Sequence, residues 1–179
     1  MNKKVLIIST SPRKGGNSDA LADELLRGAQ EAGHSVEKVT LYDKTISFCQ
    51  GCLACQSTQR CTIQDDAAAI TQKMLTADVI VFATPVYYYG MCGQMKTMLD
   101  RSNPLFSADY SFRDIYLLAA AAEEDPHTVD GTVTGLQGWI DCFEKAHLAG
   151  AVFAGGVTSV GDIKDHPALK QAYETGKNI

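Results

Sequence analysis

Positive charge is in deficit in this chain. Sixteen Lys and Arg face 21 Asp and Glu over 179 residues, for a net charge of −5, and no basic block occurs. That balance speaks against a nucleic-acid surface. No apolar run is long enough to span a bilayer, so no membrane partner is expected. Lys3-Lys4 precede only four apolar residues, Val5 to Ile8, with no cleavage-site region after them. That is too short for a secretory signal, and a cytoplasmic protein is expected. The Gly-rich signatures of nucleotide sites are missing: neither Gly-x4-Gly-Lys-Ser/Thr nor Gly-x-Gly-x-x-Gly occurs. His34, His127, His147 and His166 are scattered, none beside a candidate nucleophile. Surface or helix-end roles are expected for them, and no catalytic side chain is assigned. No pair of carboxylates suggests acid–base work, and Glu123-Glu124-Asp125 reads as a solvated loop.

What is present is an alternation of apolar strands and amphipathic helices. Strands are predicted near Lys4–Ser9, Val36–Tyr42, Asp78–Thr84, Asp114–Ala121 and Gly150–Gly156. Helical patterns fall at Ser18–Ala32, Asp65–Thr76, Gly93–Ser102, Val133–His147 and His166–Lys177. Continuous runs such as Val79-Ile80-Val81-Phe82-Ala83 imply strands buried on both faces, as in a parallel sheet. The expectation is an α/β fold: a three-layer flavodoxin-like sandwich around a five-stranded parallel sheet of order 2-1-3-4-5. No repeat, linker or low-complexity stretch divides it, so residues 1–179 read as a single domain. Asp43–Gln64 is long for a loop, and long loops in compact domains are usually functional.

The first strand runs into Ser9-Thr10-Ser11-Pro12-Arg13-Lys14-Gly15-Gly16-Asn17-Ser18 and then into a helix. Such a turn gathers backbone N–H groups, hydroxyls and the positive end of a helix, which is an anion site. It holds no nucleophilic Cys, few acids and no evident metal ligand. A phosphate monoester held by hydrogen bonds, such as the tail of FMN, suits it. The bland alternative is a polar βα turn capped by Asn17 or Ser18. The third strand ends in Thr84-Pro85-Val86-Tyr87-Tyr88-Tyr89-Gly90-Met91 at the same sheet edge, where a flat heteroaromatic ring could stack. Tyrosines that merely pack on the protein or a subunit partner are the plain reading of that segment.

These residues carry a resemblance. The first loop resembles the Ser-x-Ser-Pro-Arg-Lys-x-Gly-Asn-Ser loop of NADPH-dependent FMN reductases and of their relatives, the iron–sulfur flavoproteins. Pro85 to Gly90, with Gln94-Met95-Lys96 and Leu99-Asp100-Arg101, is similar to the group's second signature, and the cysteine segment before Gln64-Asp65-Asp66 to a third. The likeness runs from Lys3 to about Asn103. It implies a flavodoxin-like fold, non-covalent FMN and oligomers, a homodimer or tetramer, that complete each other's sites. Carried over, Ser9, Ser11, Pro12, Arg13, Asn17 and Ser18 would hold the FMN phosphate. Pro85, Val86, Tyr87, Tyr88, Tyr89 and Gly90 would hold the ribityl chain and ring. Ala121 and Glu123, in the loop after the fourth strand, would close its other edge. Lys96, Asp100 and Arg101 read as structural, on a helix behind the ring loop.

Six cysteines occur, four of them as Cys49-x2-Cys52-x2-Cys55-x5-Cys61. In a reducing cytosol such a cluster is metal-binding, redox-active or inert rather than a disulfide framework. Its spacing resembles the one iron–sulfur flavoproteins use for a [4Fe–4S] cluster, while many reductases of the superfamily carry similar cysteines without one. Cys92 and Cys142 are expected in the core or at a subunit interface. The function expected is an FMN-dependent oxidoreductase taking hydride from NAD(P)H and passing electrons to a small acceptor: a quinone, a nitro or azo compound, or free flavin. No bound metal is required by that reading. The alternative is an electron-transfer protein, flavodoxin-like or with a [4Fe–4S] cluster on the four cysteines.

Overall fold

A computed structural model describes residues 2–179. Its centre is β1 (Lys4–Ser9) and β3 (Val79–Tyr87), whose Val, Ile, Leu and Phe side chains up to Phe82 are almost wholly shielded from water. Strands that are apolar on both faces need a layer on each side. The alternation of side chains along β1 and β3 therefore feeds two separate cores. Leu6, Ile8, Ile80 and Phe82 point to one face, Val5, Ile7, Val79 and Val81 to the other.

The parallel sheet is ordered β2 (Ser35–Thr40), β1, β3, β5 (Asp114–Ala120), β6 (His147–Ala154). Leaving out the two-residue ribbon β4 (Gly90–Met91), this is the expected 2-1-3-4-5 order. Helices α1 (Asn17–Glu31) and α6 (Pro167–Lys177) cover one face. Helices α3 (Asp66–Thr76), α4 (Gly93–Arg101) and α5 (Asp130–Ile140) cover the other. A Cβ at Gly28 would collide with the Tyr173 carbonyl, and one at Gly176 with the Leu25 carbonyl, so α1 and α6 pack backbone against backbone.

Several boundaries depart from the sequence reading. The helix expected to run from Val133 to His147 stops at Ile140. Leu136, Ile140 and Phe143 keep a helical spacing of buried residues, but Phe143 is placed by a tight turn in which its N–H donates to Ile140 O. It joins an aromatic group with Tyr110, Phe112 and Trp139. The chain is thus free to start β6 at His147, three residues before the predicted Gly150. The third strand does not end at Thr84: it continues to Tyr87 and folds back onto β4. The long segment 43–64 is irregular, as expected, apart from one short helix, α2 (Ala54–Thr58).

Candidate functional site

The carboxyl ends of β1, β3, β5 and β6 share one edge of the sheet, the place where open α/β sheets bind ligands. The loop after β1 is pinned beneath this edge. Thr10 N–H and Oγ1 both donate to Ala83 O, at 2.8 and 2.9 Å. The Cys92 thiol sits 3.3 Å from Thr10 Oγ1 and 3.4 Å from Thr84 Oγ1, and it is fully buried. Cys92 is thus a core residue, and it ties the ends of β1 and β3 together.

Above that anchor the loop is shaped for a small anion. Ser11 Oγ accepts the Arg13 N–H at 3.1 Å, closing a turn. A Cβ at Gly16 would lie 2.7 Å from Ser11 Oγ, so any other residue would displace that hydroxyl. Gly16 is also the N-cap of α1 and offers no side chain to the first N–H groups of the helix, which have no intrahelical acceptor. The Ser18 hydroxyl is buried there without a partner. A buried hydroxyl left unpaired costs about 1–3 kcal/mol. An anion at the head of α1 would satisfy it together with the open N–H groups. The nearby Asp19 is neutralised by Lys38 at 3.1 Å.

Ser11, Arg13, Asn17 and Ser18 line one cleft of about 140 Å³ with Pro85, Val86 and Tyr87 from β3 and Ala121 after β5. These are eight of the fourteen residues singled out from the sequence. Ser9 is buried in the strand, its carbonyl accepting from Leu41 N–H, and does not line the cleft; nor do Pro12, Tyr88, Tyr89, Gly90 and Glu123. Glu123 is exposed and meets the rest of the site through its carbonyl, which accepts the Gly156 N–H.

One wall of the cleft lies outside the sequence reading. Val157, Thr158 and Val160, in the loop after β6, line it as well. The side chains of Arg13 and Asn17 are engaged with this loop. Arg13 donates to Thr158 O at 2.8 Å, and Asn17 donates to Ser159 O at 3.0 Å and accepts from Ile163 N–H. Asp162 closes the loop by accepting the N–H groups of Thr158 and Ser159. Gly155-Gly156 after a terminal apolar strand is the signal that could have found it.

Tyr88 and Tyr89 form the two-residue turn between β3 and β4, with φ of 50° and 61°. Paired positive φ angles give the tight primed hairpin, normally made with Asn or Gly. Tyrosine there is strained, and such strain concentrates at functional loops. Tyr88 is fully exposed, and Gly131 of α5 lets the Tyr89 carbonyl approach where a Cβ would collide.

A second cavity, of about 420 Å³, lies on the other face of the sheet. Cys49, Cys52, Cys55 and Cys61 all line it, as does Cys142, which is exposed rather than a core residue. Three left-handed residues, Gly51, Leu53 and Gln59, curl the cysteine loop. Asn103 Nδ2 donates to Cys55 Sγ at 3.0 Å. The Ala54 N–H and then the Thr62 hydroxyl pull the Cys52 thiol below its ordinary pKa. Among the described residues the side chains do not converge on a point that would hold a single ion. A cubane presents four separate irons, so its ligands need only surround a volume, and four thiols around one cavity are the donor set it takes. Arg101 belongs to this cavity as well: the expected support helix behind the ring loop carries it into the stem of the cysteine loop.

Residues 3–156 match the family of NADPH-dependent FMN reductases. The chain belongs to that family. It is 42% identical to an iron–sulfur flavoprotein of Methanocaldococcus jannaschii over 57% of this chain and 53% of that one. It thus spans about half the length of that relative. With an iron–sulfur flavoprotein of Methanosarcina thermophila it shares 30% identity over 98% of this chain and 93% of the other. The fold superposes on an NAD(P)H:quinone oxidoreductase from Methanothermobacter marburgensis with a TM-score of 0.77 at 17% identity, covering 99% and 96% of the two chains. Family membership accounts for the flavodoxin-like sheet and makes FMN the cofactor to test against the cleft. The orphaned Ser18 hydroxyl and the Gly16 cradle fit its phosphate. Among the described residues, no helix is long and apolar enough to cross a membrane.

Proposed function

We propose that residues 1–179 form one FMN-binding domain that oxidises NAD(P)H and reduces a small acceptor of the quinone, nitro, azo or flavin class. The observation that carries this reading is the buried, unpartnered Ser18 hydroxyl at the open N-terminus of α1. Ser11, Ser18 and the first N–H groups of α1 hold the phosphate, and Arg13 and Asn17 brace the wall opposite. Pro85, Val86 and Tyr87 support the ribityl chain, Tyr88, Tyr89 and Gly90 the ring, and Ala121 and Glu123 its far edge. FMN held there would supply a carrier able to accept a hydride from a nicotinamide and to pass electrons on singly or in pairs. The protein orients the ring and keeps one face open, which needs no nucleophilic side chain. The exposed tyrosine hairpin is an apolar surface suited to a second subunit, so the working form is a homodimer or tetramer in the cytoplasm. Titration with FMN and with riboflavin tests the assignment: FMN is expected to bind much more tightly, and NADPH or NADH to bleach the flavin absorbance. Equal affinity for the two flavins would overturn it.

A second reading rests on the cysteine cavity. Four thiols around one volume, and relatives that bear the name iron–sulfur flavoprotein, favour a [4Fe–4S] cluster at Cys49, Cys52, Cys55 and Cys61. The chain then exchanges electrons with a carrier protein instead of a small acceptor. Iron and sulfide analysis of anaerobically prepared protein separates the readings: about four irons per subunit favours the second.

A further inference from the structure

Among the described residues, Arg101 is the largest fully buried side chain. Its guanidinium forms a fork on Asp65, at 2.7 and 2.8 Å, and also donates to Ser47 O at 2.7 Å and Ile63 O at 3.2 Å. Asp65 in turn accepts the Ser47 N–H at 2.8 Å and the Ala67 N–H that opens α3. Ser47 lies two residues before Cys49, and Ile63 two residues after Cys61. One buried ion pair therefore clasps both stems of the loop that carries all four cysteines.

The contact does not end at the stems. Arg101 lines the cysteine cavity, and its Nε–H is buried with no partner. The guanidinium is held above its ordinary pKa first by the Asp65 hydrogen bond, against the cost of burial. Asn103, two residues on, donates to Cys55, and Thr62 lies 3.7 Å from Cys52. Sulfur ligands of iron are commonly tuned by such donors.

We infer that Arg101 is a positioning residue for the cysteine loop, holding its two stems at the separation that lets four thiols face one cavity. The inference rests on the iron–sulfur reading of that loop. Asp65 cancels the charge of Arg101, so the geometry of the loop is its contribution, more than net charge. Loss of Arg101 should therefore loosen iron retention strongly and move the reduction potential modestly.

Arg101→Lys tests this, because one ammonium cannot hold two carbonyls and both carboxylate oxygens. Asp65→Asn/Arg101→Met is the charge-free companion, which leaves no buried ion unpaired. FMN affinity within about twofold of wild type serves as the check on folding. In iron-free protein, amide exchange across residues 48–62 should quicken about tenfold or more in both variants, while exchange in β1 and β3 holds. In reconstituted protein, iron should be lost at least about tenfold faster, and the cluster potential should shift in Arg101→Lys but not in Lys96→Ala, an exposed change on the same helix. Unchanged exchange across 48–62, or quickening spread equally over α3 and α4, would overturn the inference. Wild-type protein that takes up no iron, with the loop still loosened in the variants, supports the clamp and overturns the iron–sulfur reading alone.

Discussion

The loop after β1 and the cysteine loop solve the problem of presenting polar groups in opposite ways. The first is a direct extension of a buried strand. Its backbone is bonded to Ala83 O, its turn is closed by Ser11, and its donors are open helix N–H groups that need no side chain to aim them. The second stands away from the sheet, largely exposed, curled by three left-handed residues and tied at both stems by one ion pair. A site made of backbone is rigid for the reason the strand is rigid. A site hung from side chains is only as rigid as the side chains that hold it.

The largest expected effect breaks the second region and spares the first. Arg101→Met alone leaves the half-buried Asp65 carboxylate without its cation, which should cost up to about 3 kcal/mol of folding stability, the low end for breaking a buried pair. Urea unfolding reads this, and Asp65→Asn/Arg101→Met should recover most of the loss. The same fork has an acid limit. Burial raises the Asp65 pKa, but the Arg101 fork and the Ser47 and Ala67 N–H groups outweigh it, and the folded pKa lies below the ordinary value. Its stabilising contribution is present above about pH 3.9 and is lost as pH falls through the lower folded value. Amide protection across residues 48–62, taken relative to the intrinsic exchange rate at each pH, should therefore hold at about pH 5 and fall only in stronger acid.

Next in size is a change confined to the first region. Ser18→Ala should weaken FMN binding by about 1.5–3 kcal/mol, the range for a hydrogen bond to a charged group. It should leave the melting temperature of the FMN-free protein unchanged or raised, because the hydroxyl has no partner to lose. A drop in that melting temperature with FMN affinity intact would make Ser18 an ordinary helix-start residue. A smaller effect returns to the exposed loop. Thr62→Val removes the second donor to the Cys52 thiol and should slow its capture by iodoacetamide near neutral pH by about two- to threefold. Peptide mapping of the alkylated protein reads this. The smallest lies outside both loops. His127 is raised above 6.5 by its hydrogen bond to Asp130, so NMR titration should find it high and Asp130→Asn should bring it down. A raised folded pKa stabilises below about pH 6.5 and ceases to do so as pH climbs through the folded value.

Part of this architecture is legible in the order of residues alone. The apolar run Lys4–Ser9 has the bounds of β1, apolar runs separated by helices give a parallel α/β sheet, and the strand order is the one the flavodoxin-like pattern implies. Ser11, Arg13, Asn17 and Ser18 group together because a strand, a hydroxyl-rich turn and a helix start are contiguous along the chain. Other parts are hidden. The wall formed by Val157, Thr158 and Val160 meets the first loop across more than 140 residues, through Arg13 and Asn17 side chains whose residue types suggest phosphate ligands. Arg101 reads as support for the ring loop, because nothing local ties it to Ser47 and Ile63.

Local chemistry by itself determined the elements, their order and the residue types at the head of α1. Hydrophobic period, strand length and the open end of a helix all act over a few neighbouring positions. Only the tertiary structure decided which distant side chains close the cleft and which one clasps the cysteine loop. A buried Arg can bond any acceptor within reach of its fork, and the packing of α4 against α3 and the loop stems brings Asp65, Ser47 and Ile63 within that reach.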